Sequence, residues 1–65
     1  MQRSQHETAQ AQYDMARAKA DLARAQLDEL LNGERPETIA AARGEVQRAR
    51  GLLAQAEVAL AETKV

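Results

Sequence analysis

Two ladders of apolar residues, mirrored about a single break, limit what this chain can fold into more than any other feature. Before the break they step 4,3,4,3,4,3 through Ala9, Tyr13, Ala16, Ala20, Ala23, Leu27 and Leu30. After it they step 3,4,3,4,3,4 through Ile39, Ala42, Val46, Ala49, Leu53, Ala56 and Leu60. Steps of three and four average 3.5 residues, the repeat of helices that pack side by side along their length. A strand would need a period of two, which neither half shows.

The break is Asn32-Gly33-Glu34-Arg35-Pro36. Gly33 follows the last periodic residue and can take the positive φ that closes a helix C-terminus. Pro36 pushes Arg35 out of the helical region, then suits the first turn of a new helix, where its missing N–H is not needed. Glu37 falls in that first turn, where a negative charge complements the helix dipole. Upstream, Ser4 reads as an N-cap with Glu7 at capping-box spacing, leaving residues 1–3 frayed. The spacing therefore predicts one helical domain over 1–65: a helix over about 4–31, a break at 32–35 and a helix over about 36–63.

Equal helices of roughly 40 Å, joined by a short linker, fit an all-α fold: an antiparallel coiled-coil αα-hairpin with the two ladders face to face. The other geometry is a bent helical rod, in which the break only offsets the axis. The hairpin is the expectation for this chain, with pairing of two hairpins into a four-helix bundle as its extension.

Composition explains why a partner is expected. Alanine dominates, Tyr13 is the one aromatic residue, and there is no Trp, Phe or Cys among the 65 residues. Alanine loses no side-chain entropy in a helix, so helix propensity is high throughout. Its methyl group contributes far less burial than leucine, so a single chain has little to hold it together. Self-association is the expected remedy. A second line of apolar and small residues runs along each helix: Ala11, Met15, Ala18, Leu22 and Ala25 in the first, Ala40, Gly44, Gln47, Gly51, Ala54, Val58 and Ala61 in the second. Two lines per helix suit a helix with neighbours on two sides.

Nine basic and ten acidic residues nearly cancel, and they cancel within each half as well. A nucleic-acid partner would call for a net basic face to neutralise phosphates, so none is expected. A helix lying on an anionic membrane would be rich in Lys and Arg opposite large apolar anchors, so direct membrane insertion is not expected either. Spacings at Asp14/Arg17, Asp21/Arg24 and Arg24/Asp28 allow ion pairs along a solvated face.

Candidate chemistry is sparse. His6 has no second His or Cys near it and reads as a surface residue rather than a metal ligand. Asp28 and Glu29, and Glu34 and Glu37 around Arg35, read as solvated acids without an apolar pocket to tune them. No nucleophile–base set, phosphate loop or dinucleotide fingerprint is present. The expectation is no enzyme, no cofactor and no metal. Tyr13 reads as packing, with its hydroxyl reaching solvent.

At the break the sequence resembles a known family. Leu31-Asn32-Gly33-Glu34-Arg35-Pro36-Glu37-Thr38-Ile39-Ala40-Ala41-Ala42-Arg43 is similar to the G-x-R-x-E-x-I-x-x-A segment of HlyD-type periplasmic adaptors, also called membrane fusion proteins. Val46, Ala49, Leu53, Ala56-Glu57, Leu60 and Thr63-Lys64-Val65 resemble the family's A-x-L-x-x-A-E-x-x-L-x-x-T-x-V run. Tyr13-Asp14-Met15-Ala16-Arg17-Ala18 resembles its descending helix near the tip. The likeness covers essentially the whole chain and concerns only the family's α-helical hairpin region.

The resemblance implies a non-catalytic coiled-coil segment in an efflux or secretion system. Such adaptors sit in the Gram-negative periplasm, anchored at the inner membrane through parts this chain lacks. They form rings around an inner-membrane transporter and project α-hairpins towards an outer-membrane channel of the TolC type. The implied partners are other helices of the same adaptor, neighbouring protomers, that transporter and that channel. In the family, T-x-V leads into an A-P-x-x-G strand of a lipoyl-like domain. The family's channel-contacting pattern of Arg, six residues, Leu, three residues and Ser would start at Arg24 and reach Leu31, but position 35 is Arg. Tip contacts are therefore not carried over, and the tip is expected before Met1. In the family the break lies partway along one arm, which favours the bent rod in a full adaptor. The rival reading is a stand-alone helical-hairpin oligomerisation module or binding arm, like the coiled-coil arms with which some tRNA synthetases grip tRNA.

Overall fold

The computed structural model describes residues 3–64 and consists of two helices, α1 over Arg3–Leu30 and α2 over Pro36–Glu62. They pack against each other as an antiparallel hairpin measuring 49 × 13 × 11 Å between Cα extremes. The bent rod is not what this chain forms. The helix bounds differ from those expected by one residue at each end except at Pro36. Met1, Gln2 and Val65 lie outside the described residues.

The reversal rests on two residues. Gly33 has φ +109°, the single positive φ among the described residues. This lets the Glu34 amide turn back and donate to the Leu30 carbonyl at 3.2 Å, while Leu31 donates to Leu27 and Asn32 to Glu29. Carbonyls left over at the end of α1 are thus taken up within the turn. Arg35 then sits in extended backbone, φ −66° and ψ 148°, as the residue before a proline must. Pro36 opens α2, and the amides of Thr38 and Ile39 both donate to the Arg35 carbonyl at 3.1 Å.

At the other end the expectation for Ser4 is corrected. The helix already includes Arg3, and Ser4 is an ordinary helical residue whose carbonyl accepts from the Thr8 hydroxyl at 2.9 Å. Glu7 does not reach back to a cap; it pairs with Arg3 one turn earlier at 3.4 Å. A capping box needs the chain to leave the helix at its first residue, and here helix continues past it.

The register follows from one contact. His6 on α1 meets Thr63 at the end of α2, with Nδ1 and Oγ1 2.9 Å apart. Both helices rise about 1.5 Å per residue, and the two ladders mirror each other's steps, so they stay level from there to the turn. Ala9 lies level with Leu60, Tyr13 with Ala56, Ala16 with Leu53, and Ala20 with Ala49. Ala23 lies level with Val46, Leu27 with Ala42, and Leu30 with Ile39. Five of these seven layers set one alanine against one larger side chain, a complementarity of size that suits close packing of two helices.

Two outcomes check this architecture. A Cβ at position 33 would meet nothing within 4 Å, so the cost of Gly33→Ala is conformational; it should destabilise by about 1 kcal/mol or more in a urea titration. Spin labels at Ala11 and Ala59 should lie within roughly 20 Å of each other in dilute samples, since packed helix axes are about 8–10 Å apart. A straightened chain would separate them by roughly 70 Å.

Candidate functional site

The surface most able to act is the helix-packing seam and what it leaves uncovered. Ala9, Ala20, Ala23, Leu27, Val46, Ala49 and Leu60 are buried. Tyr13, Ala16, Leu30, Ile39, Ala42, Leu53 and Ala56 are half-buried. All fourteen ladder positions thus turn inward, and the centre of the core is Ala20, Ala23, Leu27, Val46 and Ala49, with Ile39, Ala42 and Leu53 packed on it. The break residues Asn32, Gly33, Arg35 and Pro36 are all exposed.

The ladders run one step further than their apolar residues do. His6 lies three before Ala9, and Thr63 three after Leu60. Both are half-buried and bonded to each other, so the reading of His6 as a surface residue is corrected. The signal was available: extending the 3,4 step by one position on each side lands on both. It was obscured because neither side chain is apolar. Gln10 and Thr38 are also half-buried beside the seam; the Gln10 amide donates to Asp14 at 3.1 Å.

Each buried side chain among the described residues is apolar, and charges stay outside. Arg24 pairs with Asp28 at 3.1 Å, as its spacing allows, and Arg48 pairs with Glu45. Asp14/Arg17 and Asp21/Arg24 form no pair. Arg24 is engaged with Asp28 on its C-terminal side and not with Asp21. Such exposed pairs within one helix add little to stability and do not join the two helices.

The second lines stay bare. Every member of the Ala11–Ala25 line and of the Ala40–Ala61 line is exposed. Met15 is 60% exposed, Leu22 58%, Leu52 51% and Val58 61%. Met15 and Leu22 from α1 and Leu52 from α2 border a shallow groove along one side of the hairpin, floored by Ala16, Ala23 and Ala49. Lys19, Glu45 and Arg48 stand along it. The groove spans the Ala20–Ala49 level, the one layer with alanine on both sides, where the seam itself holds least apolar volume. Val58 does not line it.

No protein-family model, no curated protein and no solved structure matches this chain.

The contrast between seam and groove is measurable. Leu27, 5% exposed and facing an alanine, should cost about 3 kcal/mol when replaced by alanine, within the range for buried leucines. Leu52→Ala, at a half-exposed site, should cost less than about 1 kcal/mol in the same urea titration of a dilute sample. Equal costs would show that the seam is misassigned.

Proposed function

We propose that this chain is a non-catalytic coiled-coil element whose work is to project and to pack, and that it belongs to a periplasmic adaptor of an efflux or secretion system. The observation that carries the first part is the combination of a closed inner seam with two bare outer lines on a 49 Å rod. Met15, Leu22 and Leu52 gather around one groove, a contiguous apolar surface that a hairpin meant only to hold itself together does not need. Faces of this kind pair with other helices, as in bundles built from hairpins. The partners in this reading are neighbouring helices and protomers of the adaptor, with an inner-membrane transporter and a TolC-type channel at either end of the assembly. No helix among the described residues is long and apolar enough to cross a membrane. Attachment to the inner membrane therefore falls, in this reading, to other parts of an adaptor.

The adaptor assignment itself is supported by the Gly33-Glu34-Arg35-Pro36-Glu37-Thr38-Ile39 segment and the run through Thr63-Lys64-Val65. In the structure that segment makes a full reversal, whereas in the family it bends one arm. This difference favours the second reading, a self-contained hairpin serving as an oligomerisation module or binding arm. The reading frame beyond Val65 separates the two. An Ala-Pro-x-x-Gly strand there supports the adaptor; a catalytic domain or a strongly basic stripe supports the arm and overturns it.

Packing against copies of itself has its own test. Thermal melts by circular dichroism should rise in midpoint across a hundredfold range of concentration, as mass action requires for an associating chain. Sedimentation should show a mass above the monomer. Leu22→Glu, in the groove and outside the seam, should abolish the concentration dependence while leaving dilute-sample helicity unchanged. A constant midpoint with monomeric mass in the parent chain would refute self-association.

A further inference from the structure

We propose that His6 and Thr63 form a proton-defined clasp that closes the open end of the hairpin, with His6 acting as the donor through Nδ1–H. The Thr63 hydroxyl lies 2.6 Å from the Leu60 carbonyl, an acceptor only, so its single proton is committed there. The same oxygen lies 2.9 Å from His6 Nδ1. With its proton spent, Oγ1 can only accept, and the imidazole nitrogen must donate. A neutral His6 is therefore held as the Nδ1–H tautomer, although a free neutral histidine side chain in water favours the proton on Nε2. The bond a ring nitrogen makes decides which of the two carries the proton.

The position gives this bond its consequence. Among the described residues it is the one side-chain hydrogen bond joining the two helices; the ion pairs and the remaining side-chain bonds are all local in sequence. It spans 57 positions and sits at the far end from Gly33, where a helix pair would otherwise fray first. Both partners are half-buried at the last rung of the seam, so water competes less than at the exposed pairs. Arg3 and Glu7 on α1 are engaged with each other, and Glu62 and Lys64 flank Thr63 on the opposing segment. The clasp thus adds to the apolar ladder a directional contact that only one tautomer can make.

Imidazole nitrogen chemical shifts of the nitrogen-15-labelled full chain, read from spectra in which the ring carries a single proton, report the tautomer directly. The expected result is Nδ1–H in the parent and a shift to Nε2–H in Thr63→Val, which keeps the branched shape and removes the acceptor. Amide exchange at Ala9, Gln10, Ala61 and Glu62 should quicken about fivefold in Thr63→Val and in His6→Phe, the effect of one net hydrogen bond. Exchange near Gly33 should not change. His6→Asn, whose amide N–H stands near the place of Nδ1, should recover most of the protection. An Nε2–H ring in the parent would overturn the proposal, as would an Nδ1–H ring that Thr63→Val leaves unchanged. Should either replacement unfold the chain, the tautomer of the parent and the protection in His6→Asn still decide it.

Discussion

Everything in this hairpin depends on alanine methyl groups allowing two helix backbones to approach closely along one line. In most layers the alanine of one helix makes room for the larger side chain of the other: Ala16 for Leu53, Ala23 for Val46, Ala42 for Leu27, Ala9 for Leu60. Dispersion between closely packed atoms and exclusion of water then do what a broad hydrophobic core does in a larger protein. The arrangement is narrow. Among the described residues no side chain is less than 2% exposed, so the seam has no deep interior behind it. A chain of this size keeps little stability in reserve, and packing along its outer faces would be a substantial fraction of the whole.

The turn and the seam are matched parts of one device. Gly33 brings the chain back in a register that sets Leu30 against Ile39, and the mirrored steps keep every later layer level. A turn one residue longer or shorter would rotate α2 by roughly 100° relative to its ladder and present Leu52 or Ala40 in place of the seam. The one all-alanine layer, Ala20 with Ala49, lies where Met15, Leu22 and Leu52 gather on the outside. Apolar volume missing from the seam at that level is thus present on the surface, available to a neighbour.

Much of this architecture was legible in the sequence because its determinants are local and periodic. The 3.5-residue repeat picks out fourteen positions that are buried or half-buried in the hairpin, and Gly33 with Pro36 marked where one helix stops and the next starts. What was not legible had identifiable causes. Ser4 and Glu7 have capping-box spacing, but a four-residue motif does not outweigh a helix that already extends through Arg3. His6 and Thr63 occupy seam positions with polar side chains, and their pairing depends on which residues the fold brings together across 57 positions. The outer lines were visible as patterns and are bare in the hairpin. A single chain's sequence describes only one side of any contact such faces could make.

The position of the turn also orders events in time. Leu30 and Ile39 are nine positions apart in sequence, while His6 and Thr63 are 57 apart. Closing a short loop costs less entropy than closing a long one, and takes about 10–100 ns for ten residues. Once the first rung forms, each further rung closes only the few residues to the next, so the long loop is never closed in a single step. The hairpin is therefore built to zip from Gly33 outwards, with low effective contact order and fast kinetics. The His6–Thr63 rung would be the last to form on folding and the first to part on unfolding.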